Sequence, residues 1–438
     1  MPSRISARPA RTALAVGAAV ALSVTWAVTT GAGAGGAGAL ARPGQADGAG
    51  AGRAEASRAG IGRMPAAHEV DARTGERPTF SILSGSASGR SARAARAAGW
   101  RLATMQHYGS IHDASGYSAV VTTGKRTAWV FGGTNPGGTS APVALRWNGS
   151  RWQPWPLPPH LTGFISDASA PSASDIWAVS YAGGYVLHWN GHHWAVVRHW
   201  RERGALTGVT ALSAKDVWVF GTTAAGLHGM GTWHFNGRTW TRVNGLAGEI
   251  YRASAVSRHD IWAVAATRKG GFIEHYNGRT WRQVRIGLGQ ARLDDVLAVA
   301  RDNVWAVGNV AGRHGEGRLV VAHFDGRHWI RMLTRWHADT GRLAAATSGG
   351  VWVTADNTGT RNDALIGHLC FGCQPSWVAV RWGLGSGISD VAVNPWTGTV
   401  WISGGFLTKA GGDAAIWSHR DRRADVDNDD QVRIGGPL

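Results

Sequence analysis

The chain has 438 residues, and its 45 lysines and arginines outnumber its 28 aspartates and glutamates, for a formal net charge of +17. Almost all of these cations are arginines spread along the chain, so the charge predicts no specific nucleic-acid partner, although it would suit an acidic glycan or wall polymer. With only two cysteines, the chain cannot form a cysteine-rich zinc site.

The N-terminus has the pattern of a secretory signal. Three arginines within the first eleven residues precede an apolar run from about Thr12 to Val28, and small residues follow. These are the basic region, the apolar core and the cleavage zone of such a signal. We expect residues 1–39 to be a cleaved signal peptide and the protein to be secreted, extracellular or associated with the cell wall. An uncleaved anchor is the alternative, and no other stretch is predicted to cross a membrane.

Two polar segments flank the predicted domain. Residues 40–98 are rich in Ala, Gly, Ser and Arg and hold few large apolar side chains. Such a segment cannot bury enough apolar surface to offset chain entropy, so it predicts a disordered linker. Residues 421–438 predict a polar C-terminal tail.

Residues 99–420 repeat one motif. Asp216–Trp240 and Asp260–Trp281 both begin with Asp-x-Trp, pass through short apolar strands and end in Asn-Gly with a second Trp. The first Trp recurs every 41 to 49 residues, at Trp129, Trp177, Trp218, Trp262, Trp305, Trp352 and Trp401. Asn-Gly between alternating strands favours a hairpin, so each unit predicts four short strands. The spacing therefore predicts an all-β fold, a seven-bladed β-propeller with four-stranded blades.

The last repeat lacks an outer strand. Upstream, "GWRLATM" at Gly99–Met105 matches the fourth-strand pattern, with Trp100 in the place of the Trp that follows the turn. We predict that this N-terminal segment pairs antiparallel with Ile416–His419 and completes the last blade. An open ring would expose a sheet edge and two apolar blade faces.

The motif resembles a repeat of secreted actinobacterial proteins with a consensus near "DVWAVG…HWDGTxW", described as Kelch-like or galactose-oxidase-like propellers. "DVWVFG" at Asp216 and "HFNGRTW" at His234 carry the resemblance. It implies the propeller fold over residues 99–420 and no particular activity. The copper site of galactose oxidase needs a Tyr joined to a Cys, and both cysteines here lie in one turn, so that activity does not carry over.

The two cysteines, Cys370 and Cys373, replace the turn between the third and fourth strands of blade six. In a secreted chain a local disulfide between them is the expected state. A thiol-exchange motif would instead belong to a cytosolic redox fold.

A histidine precedes the third-strand aromatic residue in five blades: His188, His234, His275, His323 and His368. Equivalent positions of different blades are spread around the ring and cannot converge on one metal ion. We therefore predict structural hydrogen bonds, with the turn carboxylates Asp175, Asp216 and Asp260 as partners. No metal site and no cofactor is predicted.

The inner strands line the channel, and their inward position is predicted to be charged in five blades. Counting back from each first-motif Trp gives Asp167, Arg252, Asp295, Arg342 and Asp390, with Gly208 in blade three and Ser118 or Ala119 in blade one. Charges in a narrow channel must be paired or hydrated. One interpretation is an ion-pair and water ring that fills the channel. The other is a ligand or metal site at one mouth, where paired carboxylates could act as acid and base.

The connections between second and third strands vary most, and they should gather on one face of the disc. No Ser-His-Asp signature, phosphate loop or HExxH motif occurs. The leading hypothesis is a monomeric, non-enzymatic binding propeller that engages an extracellular glycan, wall polymer or protein through one face. The alternatives are an extracellular glycan hydrolase or lyase with carboxylates at the channel mouth, and a structural or adhesion protein.

Overall fold

In the computed structural model, the described residues run from Gly99 to Arg420, with Arg433–Ile434 in addition. The internal segments outside the description are 108–115, 135–139, 202–203, 223–229, 268–269, 289–290, 312–316, 358–363, 371–374, 381–384 and 408–411. The predicted signal (1–39), the predicted linker (40–98) and all but two residues of the predicted tail also lie outside it.

The described residues form strands and no helix, so none of their segments is a helix that could span a bilayer. The first four blades are consecutive sheets of four antiparallel strands. Blade one holds β2 (Gly116–Gly124), β3 (Thr127–Thr134), β4 (Ala141–Trp147) and β5 (Trp152–Pro154). Blade two holds β6 (Ile165–Ser172), β7 (Asp175–Ser180), β8 (Tyr185–Trp189) and β9 (Trp194–His199). Blade three holds β10 (Ala205–Ser213), β11 (Asp216–Thr222), β12 (Thr232–Phe235) and β13 (Trp240–Val243). Blade four holds β14 (Glu249–Ser257), β15 (Asp260–Thr267), β16 (Gly270–Tyr276) and β17 (Trp281–Val284).

Blades five and six share a strand. Blade five begins with β18 (Ala291–Ala300), β19 (Asn303–Ala311) and β20 (Gly317–Phe324). Its outer strand, β21 (Trp329–Ala345), continues without a break as the inner strand of blade six, which adds β22 (Val351–Asn357), β23 (Ala364–Leu369) and β24 (Ser376–Val380). The short β28 (Arg433–Ile434) of the C-terminal tail pairs with β21 at Met332 and Leu333.

The N-terminal strand closes the ring. Blade seven holds β25 (Gly385–Val393), β26 (Thr399–Leu407) and β27 (Gly412–Arg420), and β1 (Arg101–His107) supplies its outer strand. β1 runs antiparallel to β27, with Leu102 opposite Trp417 and Thr104 opposite Ile416. The predicted seven-bladed propeller with four-stranded blades, closed by an N-terminal strand, is therefore confirmed.

Within the described residues, seven apolar clusters lie one between each pair of neighbouring blades. In most of them the first-motif Trp of one blade meets the fourth-strand Trp of the next, as Trp129 meets Trp194 at 5.5 Å between ring centroids. Trp100 takes the fourth-strand place in blade seven and meets Trp352 of blade six at 5.8 Å. Large rings thus fill the wedge that opens between neighbouring sheets, as expected for core residues.

The strand directions give the disc two unlike faces. The turns between first and second strands and between third and fourth strands end on one side, which we call the turn face. The connections between second and third strands and those between blades end on the other side, which we call the loop face. The variable connections lie largely outside the described residues, but the strand ends that they join gather on the loop face, as predicted.

Candidate functional site

All five predicted inward charges lie in the channel, sealed from solvent. Asp167, Arg252, Asp295, Arg342 and Asp390 are each 0–2% exposed. Their charges act on one another across blades two, four, five, six and seven. The structure therefore brings the predicted set together, while its role in binding a ligand stays a prediction.

A bulge in the inner strand orients the inward side chain. The register of blade three shifts between Leu206 and Gly208, and that of blade four shifts between Ile250 and Arg252. Equivalent shifts occur in the inner strands of blades one, two, five and seven, whereas in blade six the shift lies earlier, between Ala338 and Gly341. A bulge places two residues opposite one and re-aims the next side chain. The same register identifies Ala119, not Ser118, as the inward residue of blade one.

Each channel aspartate bridges two blades through the backbone. One carboxylate oxygen accepts a hydrogen bond from an N–H of the next inner strand: Asp167 from Val209 at 2.8 Å, Asp295 from Leu343 at 2.9 Å and Asp390 from Val120 at 2.8 Å. Asp167 and Asp295 also accept the N–H of the residue that follows them, at 2.8 and 2.9 Å. The carboxylates are therefore held against the channel wall.

Burial shifts the ionisation of the channel. It raises the pKa of Asp390 to about 7, although Arg252 opposes the shift. It raises the pKa of Asp167 well above the ordinary value and that of Asp295 in the same direction. Burial, followed by repulsion from Arg342, lowers the pKa of Arg252 to about 9. The three channel carboxyl groups thus hold their protons more tightly than they would in water.

The repeated histidines have the predicted structural role. His188, His234 and His275 lie with Nε2 at 2.8 Å from Oδ1 of Asp175, Asp216 and Asp260, respectively. In blades two and four the same oxygen also accepts the indole N–H of Trp177 or Trp262. In blade five Asn303 replaces the carboxylate, and burial lowers the pKa of His323 to about 4. His368 lies instead beside Ser348 and the carbonyl of Gly349.

A half-exposed group of aromatic and charged residues lies at the loop-face ends of strands in blades two, four and five, near the channel mouth. We call it the mouth cluster: Phe164 and Tyr181 of blade two, Glu249 and Tyr251 of blade four, and Arg292 of blade five. The rings of Phe164 and Tyr181 stack with centroids 5.0 Å apart. Burial raises the pKa of the Tyr251 phenol; the charge of Glu249 adds to the shift and that of Arg292 opposes it.

Sequence reasoning missed the mouth cluster. Tyr251 is the bulge residue immediately before the inward Arg252. In blade five the equivalent residue is Asp294, and in blades one, two and three it is small: Ser118, Ser166 and Thr207. Those hydroxyls donate to carbonyls of the next inner strand, as Ser166 donates to Leu206 at 2.7 Å. A tyrosine among serines and threonines at one repeat position is the signal that could have identified the site.

Two surface cavities also open on the loop face. One, of about 420 Å³, lies between β1 and blade one and is lined by His107, Pro142, Val143, Leu145, Trp155 and Leu157, among others. The second, of about 240 Å³, lies between blades three and four beside Arg242, Asn244 and Glu249. Glu249 thus belongs both to this cavity and to the mouth cluster.

Among the described residues, no group of three or more His, Cys, Asp or Glu side chains is placed to hold a metal ion. Cys370 directly follows β23 in blade six, but Cys373 lies outside the described residues. The predicted disulfide between them therefore stays a prediction.

Solved structures resemble this chain over most of its length at low sequence identity. YCF48 bound to a D1 peptide is 14% identical with a TM-score of 0.48, covering 73% of this chain and 96% of that one. YCF48 from Cyanidioschyzon merolae is 11% identical with a TM-score of 0.47, covering 74% and 99%. A catalytically inactive virginiamycin B lyase from Staphylococcus aureus, solved with quinupristin, is 9% identical with a TM-score of 0.49, covering 72% and 98%. No protein-family model and no curated protein matches the sequence. These likenesses concern the propeller fold alone.

Proposed function

We propose that this protein is an exported, non-enzymatic binding propeller that holds an extracellular glycan on its loop face, at the mouth cluster. The observation that carries the proposal is the contrast between two groups of polar residues. The channel charges are sealed, and the three aspartates and Arg342 are hydrogen-bonded to the backbone, whereas Tyr181, Tyr251 and Arg292 are partly exposed near the channel mouth. A ligand at the surface can reach only the second group.

The chemistry of the mouth cluster suits a sugar polymer. Phenol rings offer flat apolar faces, and their hydroxyls both donate and accept hydrogen bonds. Glu249 adds a hydrogen-bond acceptor and Arg292 adds donors. The cluster can therefore bind sugar hydroxyl groups, which both donate and accept hydrogen bonds. A few convergent polar groups beside aromatic rings are typical of small-ligand sites. A peptide or protein ligand is the second candidate, because variable loops on a rigid scaffold also suit proteins.

The sealed channel disfavours the hydrolase or lyase alternative. A glycoside hydrolase needs two carboxyl groups that face the scissile bond. Here Asp167 and Asp295 use both oxygens on backbone N–H groups, and both residues are 1% exposed. Their position fits a structural bridge between blades better than contact with a polysaccharide.

The proposal is tested with a glycan array and a wall-polymer pull-down on the purified secreted protein. Arg292→Ala and Tyr251→Phe should each weaken binding at least about tenfold, because each removes polar contacts at a central position. Arg301→Ala and Trp396→Ala are matched controls, since both exposed side chains lie at turns of the turn face. Absence of binding on the array together with cleavage of model glycosides would instead support the glycan hydrolase or lyase alternative. Capture of one protein instead of glycans would identify the second candidate.

Export is the second part of the proposal. The basic and apolar pattern of residues 1–39 supports it, as does the resemblance of the repeat to those of secreted actinobacterial propellers. An oxidising compartment would also allow Cys370 and Cys373 to pair. N-terminal sequencing of protein recovered from culture medium tests this part, and retention of the intact N-terminus in the membrane fraction would contradict cleavage.

A further inference from the structure

The guanidinium of Arg252 lies inside the channel without a hydrogen bond. Its Nε, Nη1 and Nη2 atoms have no partner within the described residues, and the side chain is 0% exposed. A guanidinium carries five N–H donors. Leaving charged donors buried without acceptors is costly. The site therefore requires an acceptor that the described part of the chain does not supply.

The surrounding carboxylates do not fill this role. None of the ion pairs formed by the described residues includes Arg252. Asp167, Asp295 and Asp390 direct their oxygens to backbone N–H groups of the channel wall instead. A gap therefore separates the guanidinium from the carboxylates around it.

The seven inward positions determine what can occupy the gap. Charges come from Asp167 on β6, Arg252 on β14, Asp295 on β18, Arg342 on β21 and Asp390 on β25. Blades one and three contribute Ala119 and Gly208, which carry no charge. Arg342 donates its Nε–H to the carbonyl of Ser389 at 2.9 Å, so it is anchored to the wall, unlike Arg252.

We propose that the sealed channel binds one small inorganic anion, of the size of chloride, on the guanidinium of Arg252, and that the anion enters together with protons. The anion supplies the missing acceptor and offsets the repulsion between Arg252 and Arg342. We take the anion to be small because every charged residue around the site is at most 2% exposed, which leaves no opening to solvent for a bulky one.

Proton uptake follows from the charges that face the site. With all five groups ionised, three aspartates outweigh two arginines and repel an anion. The pKa of Asp390 is raised to about 7 and that of Asp167 well above the ordinary value. In mildly acidic solution Asp390 is neutral, and uptake of a second proton by Asp167, whose pKa is shifted in the same direction, leaves the arginines in excess of the remaining carboxylate. Binding is therefore expected to be strong in mild acid and weak in mild alkali.

The first test compares melting of the full secreted protein in sodium chloride and in sodium gluconate at equal ionic strength. At about pH 5.5, chloride near ten times its Kd should raise Tm by about 2–4 °C, and at about pH 8.5 it should have no effect. Arg252→Met should abolish the difference. Arg258→Met, which removes a guanidinium that is 69% exposed, should keep it. Equal melting in the two salts at the acidic pH would overturn the proposal.

Two further measurements on the unaltered protein decide the matter even if Arg252→Met does not fold. Addition of chloride in weakly buffered solution near pH 7, where Asp390 is partly ionised, should remove protons from the solvent, whereas gluconate should not. Crystals soaked in bromide should show one anomalous peak beside the Arg252 guanidinium. Water alone at that position, or bromide bound only to surface arginines as an adventitious ion, would overturn the proposal.

Discussion

The indole of Trp100 stacks on the imidazole of His419, with ring centroids 4.9 Å apart. The two residues flank opposite ends of the propeller sequence, so this contact joins the ends of the ring. Trp100 is 3% exposed and belongs to the apolar cluster between blades six and seven. Closure of the ring therefore rests on packing as well as on the hydrogen bonds between β1 and β27.

Trp100→Ala should lower the free energy of unfolding by about 3–5 kcal/mol, because it leaves a cavity in an inter-blade core. Leu102→Ala on the same strand is the control, since that side chain is 37% exposed and should cost much less. Chemical denaturation measures both variants. Equal losses would contradict a specific role for the indole.

Deletion tests the same closure without a point substitution. Removal of residues 40–95 should leave Tm nearly unchanged, whereas removal of residues 40–106 should lower it sharply, because blade seven would lose its outer strand. Differential scanning calorimetry compares the two deletions. Similar melting of both proteins would show that β1 does not stabilise the ring.

Stability should fall as the pH rises towards and through about 7. The pKa of Asp390 is about 7 in the folded protein, against about 4 for an unfolded aspartate. The folded state therefore keeps a proton that the unfolded chain releases between these values. The resulting stabilisation is complete below pH 4 and is lost as the pH rises through 7, and it amounts to about 2–4 kcal/mol. Melting in gluconate across this range measures it.

Asp390→Asn should flatten this profile. An asparagine cannot ionise, yet its carbonyl oxygen can still accept the N–H of Val120. Asp302→Asn, at an exposed turn position, should leave the slope as it is. A slope that survives Asp390→Asn undiminished would assign the effect to Asp167 and Asp295.

Asn303→Asp should raise the pKa of His323 by about 1 unit or more. At present the Asn303 amide oxygen lies 2.9 Å from His323 Nε2, and burial holds the pKa of that imidazole at about 4. A carboxylate there would favour the imidazolium. Two-dimensional NMR titration of the histidine signals measures the change, with His234 as an internal control. An unchanged His323 would show that burial outweighs the new charge.

Gly208→Ala should destabilise the propeller by about 1–3 kcal/mol. A Cβ atom there would lie 2.7 Å from the carbonyl oxygen of Tyr251, which is backbone and cannot rotate away. Gly387→Ala in the inner strand of blade seven is the control, because a Cβ atom on Gly387 would have no atom of the described residues within 4 Å. Because Tyr251 must shift, the Gly208→Ala protein should also bind the proposed glycan more weakly.

Mass spectrometry of the secreted protein should find Cys370 and Cys373 joined to each other. The bond closes a very short loop, so reduction should change Tm little. Free thiols, or a bond to a second chain, would contradict the prediction.

Much of the fold follows from spacing alone. The recurrence of one Trp fixes the number of blades, and Trp100 marks the displaced outer strand because it keeps the pattern of its equivalents. Counting back ten residues from the Trp also finds Asp167 and Arg252, and the longer turn of blade seven makes the count eleven for Asp390. A bulge at the same place in these three inner strands keeps the inward position equivalent.

Other features depend on pairing between blades, which local sequence does not encode. Nothing in "LTRWHADTGRL" predicts that β21 passes from blade five to blade six without a loop, because Gly341 and the polar residues around it favour a turn. The bridge from Asp390 to the Val120 amide joins residues far apart in the chain and is set by the geometry of the ring. The mouth cluster escaped prediction because Tyr251, Arg292 and Tyr181 converge from three blades.

The closing strand also determines where the chain enters and leaves the disc. β1 begins and β27 ends at the turn face, and a Cβ atom on Gly99 would lie 3.2 Å from the His419 ring. The first and last residues of the propeller therefore lie close together, so the ring does not depend on where the chain begins. A circular permutant that links Arg420 to Gly99 and opens between Thr222 and Met230 would keep every blade. A partner protein fused directly to Gly99 would therefore be attached at the turn face, on the side of the disc opposite the strand ends of the loop face.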